Sequence, residues 1–359
     1  MISKIKIKGY KSIKEQEIKL GSINILIGAN GVGKSNFISV FSFIRNLYGS
    51  SENFHAFVQK KGGADTFLYF GKKNTQIINL ELEFGSGNNA RRFFADINEQ
   101  QDSLSVNTLG TDFYKYNSWN KEAYTSRNLI DRHSNQADYI KKDLDNIEIY
   151  HLHDTGDQSP LKGRCNINDN RVLKKDGSNI AAILYFIKEK HTKSFYRIEK
   201  TIQSIAPFFD KFVLEPNRLN REFIQLEWRE KEYPDKYFNA YHLSDGTLRF
   251  ICLATLLLQP NPPKTIIIDE PELGLHPVAI NKLAGLIRKA SHNSQLIISS
   301  QSVNLIDNFV PENIIIADRK GEETVFTKLD SESLKQWLEE YTLGEVWEKK
   351  IIGGHTYSI

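Results

Sequence analysis

The sequence is short of cysteine, of net charge and of long apolar runs, and each shortage removes a class of protein. Two cysteines in 359 residues, Cys165 and Cys252, stand in unrelated contexts. They cannot build a disulfide framework or a cysteine-rich zinc site, and they fit a reducing compartment. A formal net charge of +3 is too small to announce a nucleic-acid binder. The lysine pairs at positions 60 and 61, 72 and 73, 141 and 142, and 174 and 175 are scattered, as on a solvated surface. No apolar run approaches the ~20 residues of a membrane span. The start, "MISKIKIKGYKSIK", alternates lysine with isoleucine as an amphipathic strand does, where a signal peptide needs a continuous apolar stretch. No heptad pattern persists, and there is no internal repeat or low-complexity tract. A soluble, cytoplasmic protein with no membrane association is expected.

What is there is ample core material, 40% hydrophobic residues against 25% charged. Four short β-branched runs, "INILIG", "KTIIIDE", "QLIISS" and "NIIIAD", have the continuous apolar character of strands buried on both faces. "KSNFISVFSFIRNLY" follows the first run and "VAINKLAGLIRKAS" precedes the third, both apolar at helical spacing. Strand–helix–strand order of this kind predicts an α/β fold with a parallel sheet covered by helices. The stretch 99–146 is polar and predicts hairpins, loops and a short helix, whereas "GSNIAAILYFIKEKH" and "FYRIEKTIQSIAPFF" predict amphipathic helices. The expected organisation is an α/β lobe begun by 1–97, an inserted and mainly helical lobe over 98–236, and a return to the first lobe over 237–359.

The motif with the most chemistry is "GANGVGKS", Gly28 to Ser35, which has the form G-x-x-x-x-G-K-[ST] between a strand and a helix. Glycines let the backbone wrap a phosphate, and the helix amino terminus adds partial positive charge. The candidate nucleotide contacts are Asn30, Gly31, Gly33, Lys34, Ser35 and Asn36. Lys34 is expected on the β and γ phosphates of ATP, and the Ser35 hydroxyl on Mg²⁺. In "TIIIDEPELGLHP", four apolar positions carry Asp269 to a sheet edge. Asp269 is the expected Mg²⁺ partner, and Glu270 the base that orients and deprotonates the attacking water. In "LSDGTLRFICLATLLL" a polar turn runs into an apolar helix, and Ser244 there also reads as an ordinary helix cap.

These three elements resemble the ABC-type ATPase heads of SMC, Rad50, RecF and OLD-family proteins. "YHLHDTGDQSPLK", "LSDGTLRFICLATLLLQP", "SSQSVNLID" and "YTLGEVWEKKIIGG" are similar to a family of bacterial RecF-like ATPases of the AAA-21-like kind. The resemblance implies a P-loop NTPase head with a RecA-like lobe and a helical lobe. It implies ATP hydrolysis in a homodimer that sandwiches two nucleotides, the turn of each copy closing over the other's γ-phosphate. Ser244 and the Gly246 backbone would supply donors there. It further implies work in DNA maintenance or anti-phage defence with a separate effector protein, a nuclease or toxin, and DNA as a candidate partner. An ATP-gated switch with very slow hydrolysis is the alternative, and a transporter ATPase subunit a third. A nuclease within this chain is not expected, because no further acidic cluster follows "IIIADRKGEETVF".

The pattern departs from that family in places. Gln301 stands where a histidine usually contacts the γ-phosphate; it can donate one hydrogen bond but carries no charge. Asp245 replaces a glycine of the signature turn, and its charge would repel a triphosphate unless it turns away or meets a cation. The glutamine loop is placed at the turn after "IEIYHLHD", with Asp154 or Gln158 as candidates. His151, His153 and Asp154 share alternating spacing that a metal site could use, although histidines at a polar strand edge explain it as well. The "GLHP" segment carrying His276 resembles a loop that crosses the dimer interface, or is a plain turn ending at Pro277.

Overall fold

The computed structural model describes residues 1–47, 51–115, 118–125 and 135–353. The chain divides into two compact units, Met1–Ile147 with Ile297–Ile359, and Glu148–Leu296. The first stretch supplies strands β1 (Ile2–Tyr10), β2 (Ile13–Lys19), β3 (Ile23–Ile27), β4 (Ile77–Phe84), β5 (Arg91–Gln100), β6 (Ser103–Lys115) and β7 (Ser118–Thr125), with helices α1 (Lys34–Leu47), α2 (Ser51–Lys60) and α3 (Asn135–Asp145). Six of these strands form one antiparallel sheet in the order β2-β1-β4-β5-β6-β7. Its register follows from alternation: Ile5 lies opposite Leu82, Ile7 opposite Leu80, and Leu82 opposite Phe93. All of these are buried, while the intervening Lys4 pairs with Glu83 at 2.8 Å and Lys8 with Glu15 at 3.1 Å. The apolar face of α1 carries Phe43 into an aromatic cluster with Tyr10, Phe54 and Phe67, ring centroids 5.2–5.5 Å away.

The second unit begins within β8 (Ile147–Tyr150) and holds β9 (Cys165–Asn166), α4 (Ile180–Lys190), α5 (Thr192–Gln203), β10 (Phe209–Val213), β11 (Phe223–Ile224), β12 (Glu227–Glu230), β13 (Phe238–Asn239), α6 (Asp245–Leu258), β14 (Thr265–Asp269) and α7 (Pro277–Ala290). Helix α6 is buried on every side from Thr247 to Leu257, and of these residues only Thr247, Arg249 and Thr255 are polar, as suits a helix at the centre of a unit. A small sheet, β10-β12-β13, centres on Trp228, which stacks on Phe238 at 5.1 Å and donates its indole N–H to the Asn239 carbonyl at 3.1 Å.

The chain then returns to the first unit through β15 (Gln295–Ser300), α8 (Val303–Ile306), β16 (Ile314–Lys320), β17 (Glu323–Lys328), α9 (Ser331–Leu334) and α10 (Leu343–Glu348). β16 runs parallel to β3, Ile314 beside Ile25 and Ile316 beside Ile27, and β17 closes the edge antiparallel to β16. β15 is the other neighbour of β3, so every residue of β3 is buried. The four β-branched runs are therefore strands, as their composition predicts.

Residues 98–236 do not make one mainly helical lobe. Residues 98–125 complete β5 and form β6 and β7, which extend the antiparallel sheet of the first unit. The hairpin of β6 and β7 and the short helix α3 are of the kinds expected over 99–146. The hairpin pairs with β5, however, whose buried Phe93, Ala95 and Ile97 alternate with half-buried positions, and so belongs to the sheet of the first unit.

Candidate functional site

The phosphate-loop segment lies wholly in the first unit. β3 leads into it, and Gly28 and Gly33 sit where side chains have no room. A Cβ on Gly28 would come 2.3 Å from the Ala317 carbonyl oxygen, and one on Gly33 would come 2.3 Å from Thr324 Oγ1. Gly31 and Gly33 adopt φ of +79° and +109°, the region that favours glycine. Two residues with no motif of their own brace the loop from behind. Thr324 Oγ1 donates to the Val32 carbonyl at 2.7 Å, and Asn36 Nδ2 donates to Ser12 Oγ at 2.8 Å.

Lys34 is only 6% exposed. Its ammonium is folded across the loop, donating to the carbonyls of Gly28 at 2.7 Å and Ala29 at 3.0 Å. An ammonium placed among the carbonyls of the phosphate loop suits a phosphate, which offers it charge as well as acceptors. Ser35 and Asn30 are exposed at the start of the fourteen-residue α1, where free backbone N–H groups attract anions. Gln301 follows β15 directly and is half-buried, ahead of the Ser302 cap of α8.

The second unit carries the other candidates. Ser244 caps α6, its Oγ accepting from the Thr247 N–H at 3.3 Å, so the ordinary capping role is present. Ser244 and Asp245 nevertheless stay exposed. Gly246 is required by close approach, since a Cβ there would lie 2.4 Å from the Gly274 carbonyl oxygen. The charge of Asp245 meets a cation: Lys162 Nζ lies 3.7 Å away and also sits over the Tyr241 ring at 5.7 Å.

Asp269 ends β14 after four buried residues, and Glu270 follows, both half-buried. Glu270 holds φ of +41°, a left-handed conformation that costs a non-glycine residue about 1–2 kcal/mol. Such strain at a carboxylate beside a sheet edge is typical of a residue placed for chemistry. His276 is exposed and caps α7, its Nδ1 accepting from the Val278 N–H at 3.3 Å.

Arg249 is the residue that motif reading passes over. It is buried in the first turns of α6, and its guanidinium donates to the carbonyls of Leu152 at 2.9 Å, His153 at 2.9 Å and Leu273. One side chain thereby ties the signature turn to the "HLHD" segment and to the loop after Glu270. Burial pulls its proton affinity below the ordinary guanidinium value, partly opposed by the nearby Asp245. Asp154 and Gln158, the glutamine-loop candidates, are exposed, and Asp154 Oδ1 accepts from the Gly156 N–H. The residues beside Asp269 are instead His151 and His153: their ligand atoms and an Asp269 carboxylate oxygen all lie within 4.8 Å of one another.

Residues 23–307 match the AAA_21 family, an AAA domain whose description also names the AbiEii toxin of a type IV toxin–antitoxin system. The chain belongs to the AAA_21 family. Solved structures agree on the fold. An SMC head bound to the C-winged-helix domain of ScpA covers 93% of this chain and 99% of its own length, with a TM-score of 0.62 at 15% identity. An SMC head with an extended coiled coil, bound to the C-terminal domain of ScpA from Pyrococcus furiosus, covers 94% and 98% with a TM-score of 0.59 at 16% identity. The SMC head domain of Thermotoga maritima covers 92% and 99% with a TM-score of 0.51 at 12% identity. A Geobacter sulfurreducens protein named as an ABC transporter ATP-binding protein is 31% identical over 174 residues, which is 46% of this chain and 65% of that protein. The match therefore spans less than two thirds of that relative.

The AAA_21 chain is thus an AAA domain with the α/β P-loop NTPase fold of an ABC-type ATPase head. Among its described residues no helix is long and apolar enough to cross a membrane. Within that fold Ser12 and Thr324 brace the phosphate loop from strands and turns that carry no signature.

Proposed function

We propose that this chain hydrolyses ATP as a head-to-tail homodimer, two ATP molecules being enclosed between the phosphate loop of one copy and the Ser244–Gly246 turn of the other. The observation that carries the reading is the build of that turn. Ser244 and Asp245 remain exposed at the amino end of a buried fourteen-residue helix, Arg249 and the Gly274 backbone hold the turn in place, and Lys162 offsets its one negative charge. An exposed helix start, rigidly backed, fits an anion brought by a second molecule. Asn30, Gly31, Gly33, Lys34, Ser35 and Asn36 would cradle the phosphates, and Gln301 would donate to the γ-phosphate or its water. The Ser35 hydroxyl and the Asp269 carboxylate are each proposed as Mg²⁺ ligands, oxygen donors of the kind that ion takes, and the ion would neutralise charge on the phosphates. Glu270 is the proposed base.

Glu270→Gln tests this. The variant should lose turnover and remain dimeric in ATP by light scattering; turnover at the wild-type rate removes Glu270 from the role. The uncharged Gln301 favours a second reading, an ATP-gated switch with slow hydrolysis that holds or releases a nuclease or toxin, in anti-phage defence or DNA maintenance. Slow, DNA-independent turnover with tight ATP-dependent assembly supports the switch, and turnover stimulated many-fold by DNA contradicts it.

Direct DNA contact has one support. A groove of about 400 Å³ between α5 and α7 is lined by Arg197, Lys200, Lys282 and Lys289 with Tyr196 and no carboxylate, a charge pattern that suits a phosphate backbone. Binding that weakens steeply with salt, and weakens further in Lys282→Ala/Lys289→Ala, is expected; salt-independent binding argues against it.

A further inference from the structure

The sheet edge that carries Asp269 has a donor set unlike the oxygen ligands of a Mg²⁺–nucleotide site. His151, His153 and Asp269 each present one ligand atom, and all three atoms lie within 4.8 Å of one another. In a tetrahedral site with bonds of ~2.0–2.2 Å, ligand atoms sit about 3.4 Å apart. Side-chain rotation of roughly an ångström therefore converts the cluster into three-point coordination.

We propose that His151, His153 and Asp269 form a binding site for a borderline transition-metal ion of the Zn²⁺ class. Three observations point to it. Two imidazoles and one carboxylate are the donors that Zn²⁺, Co²⁺ and Ni²⁺ take readily, and that Mg²⁺ does not. The backbone presenting the imidazoles is fixed rather than loose. The His151 N–H donates to the Lys175 carbonyl at 3.0 Å, and Arg249 holds the carbonyls of Leu152 and His153, which flank the His153 Cα, at 2.9 Å each. Asp269 ends a strand whose other four residues are buried, and its backbone is equally restrained. A preorganised three-ligand set costs little to occupy, and it leaves a coordination position open to water or to an oxygen of a bound ligand. Asp154 takes no part: the third ligand comes from a strand more than a hundred residues downstream, which the i, i+2 spacing of the histidines could not reveal.

The inhibitory consequence rests on the proposed ATPase reading, in which Asp269 serves Mg²⁺: a Zn²⁺ ion on the two histidines would withdraw that carboxylate. The site itself does not depend on that reading, so it is tested without nucleotide. Calorimetric titration of ZnCl₂ into the full nucleotide-free chain should show one high-affinity site. His151→Ala and His153→Ala should each weaken it at least tenfold, whereas His276→Ala, a histidine on a helix cap, should not. Loading the wild-type chain with Co²⁺ needs no substitution: absorption of low-coordinate intensity, removed by equimolar Zn²⁺, is expected. A Zn²⁺ isotherm unchanged in the doubly substituted His151→Ala/His153→Ala protein, or a Co²⁺ spectrum of the six-coordinate hydrated ion, overturns the proposal. Loss of ATP turnover in Glu270→Gln would leave the titration unchanged, so the two readings fail separately.

Discussion

Replacing Arg249 by methionine removes a side chain that joins three backbone segments of the second unit. The guanidinium makes hydrogen bonds to three carbonyls, those of Leu152, His153 and Leu273. Bonds from a charged donor contribute about 1.5–3 kcal/mol each, or roughly 4–9 kcal/mol gross. Removing the charge recovers part of its own desolvation, which is substantial because burial is the largest influence lowering the Arg249 proton affinity. Methionine fills the stem but offers no donor, so the carbonyls lose their partners. The net loss should be about 3–5 kcal/mol, read as a lower urea midpoint at unchanged slope. Arg249→Lys, with one compact ammonium in place of a planar fork, should recover less than half of it. Turnover per folded molecule should also fall, because the signature turn and the loop after Glu270 lose their common support. A loss below about 1 kcal/mol in Arg249→Met would refute the reasoning.

Two further predictions concern packing and protonation. Gly246→Ala places a Cβ 2.4 Å from the Gly274 carbonyl oxygen, so one backbone must shift at a cost of about 1–3 kcal/mol; full stability together with full turnover would show the approach to be looser than this. Burial pushes the Cys252 thiol from an ordinary 9.0 up to about 12. The folded chain keeps a proton that the unfolded chain gives up near pH 9.0. Stability from this thiol is therefore complete below that pH and declines by about 1.4 kcal/mol per pH unit above it, until the folded thiol itself ionises. Urea midpoints above pH 9.0 should fall less steeply in Cys252→Ala than in the wild type; parallel slopes would refute the assignment.

The parts of the fold legible in the sequence are those whose physics is local. β3, β14, β15 and β16 are continuous β-branched runs, which only a doubly covered strand tolerates, and α6 and α7 show their apolar periodicity directly. The glycines at positions 28 and 33 declare a backbone that must come close to something, whereas Gly31 answers a positive φ alone. What Gly28 and Gly33 come close to is not local, since Ala317 and Thr324 lie nearly three hundred residues downstream, and a threonine in a strand carries no mark of its task. The hairpin of β6 and β7 was legible in 99–146, but not that it extends the sheet of β1, β4 and β5, because pairing across a separation as long as that of β1 and β4 leaves no local mark. Arg249 was illegible for a third reason. Its partners are carbonyls, which every residue possesses, so a lone arginine in "LRFICLATLLL" gives no hint of what it holds. The pairing of His151 and His153 with Asp269 joins both difficulties, a long sequence separation and a spacing that suggested the neighbouring Asp154.

The most direct measurement mixes two variants that should each be inactive alone, Lys34→Ala and Ser244→Arg. In a two-fold dimer whose sites each draw on both copies, random mixing should restore about a quarter of the wild-type sites, because half of the dimers are mixed and each carries one intact site. ATP turnover rising to that level on mixing is the predicted result. A mixture as silent as its components, or Ser244→Arg turning over ATP at the wild-type rate by itself, would contradict the shared site.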